Sequence, residues 1–518
     1  MRQYFIGVTA ALVFYILWSK ITFALRQRKF EKSHGTKPPN YMVNGLPFGI
    51  DYVVCLLNHV KRQTVLEFMR GNYEEYGHTF AMNTLGETTI TTREPKNLQA
   101  MLSTQFKDFS AGDGKRGPFG PLMGQAIINL DGPAWEHHRA LLRPQFSRNQ
   151  ITQLQNLEEH FITLTKCIPD STSSSSVDLQ ELFFELTMDT STDFLFGEST
   201  DTLKQRLSIL EDKESRGEEF LAGASFAKAF NDAQEHSFKR FCMKDLYALH
   251  NPKEFRDAVR ECHLFVDRYV NSAIERAKSG KAGTGKYIFM DAITRDTLNP
   301  SLLRDAALSL LLAGRDTTGS LIGFIFYLLV RHSEIQDKLR RVIYEEFGPT
   351  YEPSRITFES LKNCKYLKYV IDEVSRLYPT IPINGRVAVN DTTLPLGGGI
   401  DGKSPLFVPK GTPVEFCIYA MHRRVDIWGE DAHCFRPERW ETRTKTETSS
   451  WEYLPFNGGP RVCIGQQFAL TETAYTVVRM FQEFKRFESG DMDPFVKTLS
   501  LLSTCVGGKG VLVRCYRE

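Results

Sequence analysis

Residues 301–332, SLLRDAALSLLLAGRDTTGSLIGFIFYLLVRH, are apolar on nearly every face of the helix that these residue types favour. A surface helix carries one apolar stripe, whereas a helix that is apolar all round must be enclosed by protein or by lipid. Arg315 and Asp316 divide the run into pieces shorter than the about 20 residues needed to span a bilayer. The segment is therefore expected to pass through a protein core. With 518 residues, 42% of them apolar, the chain has enough material for a large one. Asp316 and Thr317 then need a reason, because polar groups inside a buried helix are costly unless paired or used.

Long helical patterns dominate from residue 131 onward. Strand-like alternation is confined to 78–92 and 384–418, around Gly and Pro turns. The expected fold class is mainly α with a small segregated β-sheet region. STSSSS at 171–176 reads as a surface loop and EDKESRGEE at 211–219 as a solvated helix face. Lys plus Arg number 64 against 62 Asp plus Glu, so the basic excess of a nucleic-acid binder is missing. No GxGxxG or GxxxxGK[ST] opens a helix, which argues against nucleotide binding by this chain. The ten cysteines are scattered without a CxxC pair, as in a reducing compartment, where most serve as small buried hydrophobes.

Residues 4–18 carry no charge, and a span from Tyr4 to Leu25, with Tyr15 and Trp18 suited to the interface, predicts one uncleaved N-terminal transmembrane helix. Arg26, Arg28, Lys29 and Lys32 outnumber Arg2, which places the bulk of the chain in the cytosol and leaves the sequon at Asn390 unglycosylated. The expected organisation is a membrane anchor over 1–25, a basic and Pro/Gly-rich linker over 26–50, and a single large domain over 51–518.

Within LPFNGGPRVCIGQQFAL, residues 454–470, Cys463 sits between a glycine-rich bend and the expected start of a helix. A phosphatase-type nucleophile would require arginine six positions on, where Ala469 stands, and a zinc site would require further Cys or His nearby, where none lies between 455 and 470. A single thiolate ligand to haem remains, with its pKa expected to be lowered by the helix N-terminus. Gly459 and Gly465 would then let backbone approach a flat macrocycle.

FNGGPRVCIG matches the FxxGxRxCxG cysteine loop of the cytochrome P-450 family in full, through Phe456, Gly459, Arg461, Cys463 and Gly465. AGRDTT from Ala313 resembles that family's oxygen-binding motif, EVSR (Glu373 to Arg376) its ExxR helix, and WEHHR (Trp135 to Arg139) its WxxxR motif. FRPERW supplies Arg439 to complete a Glu-Arg-Arg cluster. The resemblance covers roughly residues 40–518, with the four motifs in the order that family shows. The resemblance implies haem b on the Cys463 thiolate and otherwise non-covalently held, since Ala313 stands where some relatives bond a glutamate to haem. It implies that Trp135, Arg139, Arg386 and Arg461 meet the haem propionates, that Phe456 and Gly465 line the cofactor, and that Glu373, Arg376 and Arg439 hold the loop. It gives Thr317 the task of positioning water, Asp316 that of relaying protons, and Gly314 that of leaving room, with a possible bulge of the helix there.

The implied reaction inserts one oxygen atom of O2 into a C–H bond of a hydrophobic substrate, with electrons from a membrane-bound NADPH-cytochrome P-450 reductase and cytochrome b5 as an additional partner. The implied location is the endoplasmic reticulum membrane. LDGPAWEHHRALLRPQFSRNQ, DTTLPLGGG and HRRVDIWG look like the fungal branch that hydroxylates n-alkanes and fatty acids at or near the terminal carbon. A tailoring oxidation of a polyketide or terpenoid is the alternative. A haem-binding protein without turnover, or an isomerase or dehydratase, fits less well with an intact Asp316-Thr317 pair. Expected pocket walls are 117–128, 219–230, Leu312 and Ala313, 379–385 and 501–505.

Overall fold

The computed structural model describes residues 2–146, 154–169, 176–211, 218–279, 287–443, 450–491, 493, 497–500 and 503–517. Of the loop expected at 171–176 only Ser176 is among them, and 212–217 of the expected solvated face lie outside them. The chain forms two compact units, one of 1–55, 69–110 and 384–417, the other of 56–68, 111–383 and 418–518.

The first unit is built on a six-stranded sheet, in the spatial order Asn40–Tyr41, Thr79–Thr84, Glu87–Thr92, Pro413–Cys417, Ile383–Ala388 and Phe109–Ser110. Thr79–Thr84 and Glu87–Thr92 form an antiparallel hairpin. Its turn residues Leu85 and Gly86 both have positive φ, 55° and 88°, the twist that a two-residue hairpin turn needs. The buried hydroxyls of Thr79 and Thr92 lie 2.7 Å apart across the ladder, and Asn97 donates to both. A second hairpin pairs Thr392–Gly398 with Ser404–Val408. Both regions of expected strand are therefore sheet.

A helix runs from Arg2 to His34, without a break after residue 25, because no Gly or Pro stands between residue 8 and Gly35. Phe30 packs on Phe407 at 4.6 Å and Arg26 pairs with Asp391 at 3.2 Å. The transmembrane helix expected here is not found: among the described residues no helix is long and apolar enough to cross a membrane. Most side chains of residues 2–13, on which that expectation rests, lie outside the described ones.

The second unit is helical, with its centre in the helix Pro300–Leu329. Asn299 caps it by accepting from the N–H groups of Ser301 and Leu302, and Pro300 fits the first turn, where no N–H is needed. Its exposure pattern agrees with an all-round apolar sequence, since Leu303, Leu308, Leu311, Ile322, Phe324, Ile325 and Phe326 have no accessible surface. It lies so close to the helix Leu179–Phe196 that a Cβ on Gly319 would stand 2.7 Å from Phe184. The same core holds the helices Glu218–Cys242 and Lys253–Lys278, joined by the stacked rings of Phe226 and Phe265 at 4.1 Å. Toward the C-terminus, Arg486–Ser489 pairs with Leu512–Tyr516, and Thr498–Ser500 with Thr504–Val506. These short strands are absent from the sequence-based expectation, because three to five residues give too little alternation to detect.

Candidate functional site

The cysteine loop owes its shape to backbone conformations that few residues tolerate. Asn457 and Gly459 take φ of 63° and 66°, and a Cβ on Gly458 would stand 2.8 Å from the Trp451 ring. Val462 N–H then donates to Gly459 O, and Cys463 N–H to Phe456 O, both at 3.0 Å. Gly465 is the N-cap of the helix Gln466–Glu483, and a Cβ there would meet only Phe146, at 3.8 Å. Cys463 is exposed, yet protein surrounds it closely enough to push its thiol pKa up. The Gly465 N–H and Arg139 act in the opposite direction but do not prevail. The expected lowering is thus corrected: burial outweighs the helix terminus, and a bound metal cation is what would make this sulfur a thiolate.

The helix Gly132–Leu142 presents Trp135 and Arg139 one turn apart. Arg139 Nη2 donates to Val462 O at 3.0 Å, next to Cys463. Trp135 lies between two guanidinium groups, Arg139 at 5.7 Å and Arg461 at 4.5 Å from its ring. Arg461 Nη2 is held by Leu130 O and by Asp131 Oδ1, both at 2.6 Å. Asp131 also accepts from the backbone N–H groups of Ala111 and Gly112. It escaped the sequence reading, although an aspartate just before Gly132-Pro133 is a helix-start signal. Arg386 belongs to the first unit, where it is 3% exposed, donates to Gly385 O and stands 5.7 Å over the Phe416 ring.

Glu373, Arg376 and Arg439 come together as the spacing suggests. The helix Lys365–Leu377 buries Glu373 and Arg376 completely. Arg376 grips the Glu373 carboxylate through Nε at 2.9 Å and Nη2 at 2.8 Å, and Arg439 Nε reaches it at 2.8 Å. Arg376 donates further to the carbonyls of His422, Ala432 and Cys434. Trp440 Nε1 donates to Glu373 at 3.1 Å, a member visible in the sequence only as the end of FRPERW.

On the central helix, Ala313 is exposed although the turns on either side are core. Thr317, one turn on, donates its hydroxyl to Ala313 O at 2.6 Å. Asp316 is raised above the usual carboxylate range by burial, against the pull of Arg315, whose Nη1 stands 3.1 Å from its Oδ1. The helix is regular through Gly314, so the bulge expected there is absent. A Cβ on Gly314 would lie 3.3 Å from Ser191 Oγ, so this glycine makes room for the neighbouring helix. Of the expected pocket walls, Phe119, Leu122, Met123, Phe226, Phe230 and Leu312 belong to one buried cluster, while 501–502 lie outside the described residues.

A cavity joins the two halves of the site. Thr317, Thr318 and Leu321 line it from the central helix, Ser375 and Thr380 from the ExxR side, and Pro455, Phe456 and Ala469 from the cysteine loop and the helix beyond. An accessible thiol desolvated by the protein around it, a cleft between its loop and a polar break in a core helix, and cationic groups around Trp135 suit an oxidoreductase that carries haem on a cysteine. The family pattern described as Cytochrome P450 matches residues 45–505, and the chain belongs to that family. It is 42% identical to cytochrome P450 monooxygenase g430 of Fusarium sp, over 97% of this chain and 89% of that protein. It is 40% identical to cytochrome P450 52A13 of Debaryomyces hansenii, over 99% and 97% respectively, and 41% identical to cytochrome P450 52A3-B of Candida maltosa, over 91% and 90%. The protein is therefore a cytochrome P450 monooxygenase, of a family that binds haem b through a cysteine thiolate. Such enzymes draw electrons from redox partners and use O2 on hydrophobic substrates.

Proposed function

We propose that this enzyme hydroxylates n-alkanes or fatty acids at or near the terminal carbon, with Cys463 as the haem ligand. The observation that supports the ligand assignment is the accessible Cys463, on a loop whose Pro455 and Phe456 share a cavity with Thr317. Haem, when bound, supplies the activation of O2 and the transfer of one oxygen atom into a C–H bond, while NADPH provides the electron pair through a reductase and the second oxygen leaves as water. The chain's own residues do the remaining work. The Gly465 N–H and Arg139 stabilise negative charge on the Cys463 sulfur. Trp135, Arg139 and Arg461 would serve the haem carboxylates, and Phe456 and Gly465 would line the cofactor.

The Thr317 hydroxyl spends its proton on Ala313 O, which leaves its lone pairs to accept from a water molecule and hold it in place. Asp316, with its pKa raised by burial, is suited to take up and release a proton, and Arg315 holds its carboxylate at the helix surface. The substrate class rests on the likeness of LDGPAWEHHRALLRPQFSRNQ, DTTLPLGGG and HRRVDIWG to the fungal alkane and fatty-acid hydroxylases. The uncharged run 4–18, followed by four basic residues, supports a single-pass anchor in the endoplasmic reticulum with the enzyme facing the cytosol.

The test is co-expression with a fungal reductase and supply of NADPH, lauric acid and dodecane, with products identified by mass spectrometry. Terminal or near-terminal alcohols are expected. A normal reduced carbon-monoxide spectrum with neither chain oxidised would refute the substrate class and move the activity to a polyketide or terpenoid.

A further inference from the structure

The loop that presents Cys463 begins at Leu454, and its first backbone donor is not satisfied by the loop itself. Leu454 N–H donates to Nε2 of His422 at 2.9 Å. His422 follows the short helix Ile418–Met421, has no accessible surface, and bonds back through its own N–H to Ile418 O. Its Nδ1 lies 3.1 Å from Arg376 O, and Arg376 Nη1 returns a 2.7 Å bond to His422 O. These partners fix the state of the ring. Because Leu454 N–H is a donor, Nε2 must be an unprotonated acceptor, so the single proton sits on Nδ1 and is given to Arg376 O. The groups that face the ring agree with a neutral imidazole: Arg376, Arg423 and Arg443 are cationic, and Trp428 and Tyr453 close the remaining sides. Beyond Leu454, its carbonyl accepts from Asn457 N–H at 3.2 Å, and Phe456 O accepts from Cys463 N–H at 3.0 Å.

We infer that His422 is a positioning residue for the haem ligand: it transmits the fixed geometry of the Glu373–Arg376–Arg439 cluster to the first residue of the cysteine loop, and so holds Cys463 in register with iron. The inference rests on the reading of Cys463 as the ligand. A histidine that only fills core space would be replaceable by any side chain of similar bulk. One that acts through Leu454 is replaceable only by a side chain with an acceptor at the place of Nε2. Glutamine reaches that place, whereas asparagine reaches only as far as Nδ1 and leaves the Leu454 N–H buried without a partner.

The experiment compares His422→Gln and His422→Asn with the wild type as full-length haem proteins. Each is reduced and exposed to carbon monoxide, and the fraction of haem with the thiolate-ligated absorption band is followed against that of the band formed when the thiolate is lost, during incubation in mild urea. The Asn variant is expected to lose the thiolate band at least about tenfold faster than wild type, and the Gln variant to stay within about threefold of it. Thiolate bands that persist equally in both variants, or decay equally in both, overturn the inference. If His422→Asn yields no haem protein, the Gln variant decides alone: decay within about threefold of wild type supports the inference and faster decay overturns it. A wild type that never shows the thiolate band would instead refute Cys463 as ligand, so the two failures are distinct.

Discussion

Replacing Glu373 by glutamine tests whether the buried cluster holds the haem end of the molecule together. The carboxylate has no accessible surface and accepts five hydrogen bonds, from Arg376 Nε and Nη2, Arg439 Nε, the Arg436 N–H and Trp440 Nε1. It faces two guanidinium groups that are themselves 0% and 6% exposed, and the next anion, Asp431, is partly exposed and touches only Arg439 of the pair. In Glu373→Gln the charge disappears and the new amide N–H group points at donors. Removing one partner of a buried ion pair costs about 3–5 kcal/mol. A folded domain has only about 5–15 kcal/mol to lose, so the variant should be far less stable and should retain little haem. Urea unfolding of the purified protein, followed by tryptophan fluorescence and by the Soret band, measures both. A loss smaller than about 1 kcal/mol, or full haem occupancy at an unchanged midpoint, would refute the reasoning.

Thr317→Ala is expected to keep NADPH consumption while product per NADPH falls severalfold and peroxide rises; unchanged coupling would remove Thr317 from proton delivery. Gly319→Val should destabilise by about 1–3 kcal/mol, because the new side chain would drive into Phe184, and thermal unfolding reads the effect. Stability should also fall with acid. His422 is held well below the ordinary imidazole value of 6.5 by burial and by Arg376, so its contribution is complete above that pH and is lost as pH falls toward the folded-state pKa. The slope expected for one such group is about 1.4 kcal/mol per pH unit, and the difference between wild type and His422→Gln in urea midpoints between about pH 5 and 7 isolates it.

What the sequence made legible follows from how local each signal is. The central helix is readable because its apolar run is long and closes with Asn299-Pro300 at the front. Glu373 and Arg376 are readable because a three-residue spacing on a helix brings side chains together, and the structure shows the two fully buried in contact. His422 and Asp131 are not readable in this way. Their partners, Leu454 and Arg461, stand 32 and 330 residues away, and no spacing rule covers such distances. The Cys463 pKa is a failure of another kind: proximity to a helix start is a sequence property, but the burial that overrides it belongs to the whole fold. Gly314 teaches the same lesson, since its small size serves Ser191 on a helix that no motif connects to it.

The desolvated thiol of Cys463 also bears on the life of the protein before it acquires its cofactor. The nucleophile and the oxidisable species is the thiolate, and burial keeps Cys463 protonated despite its accessible surface. On the proposed assignment of Cys463 as haem ligand, the haem-free chain would carry that sulfur in a chemically quiet form, slow toward alkylating agents and peroxide, and a bound cation would be what favours its thiolate.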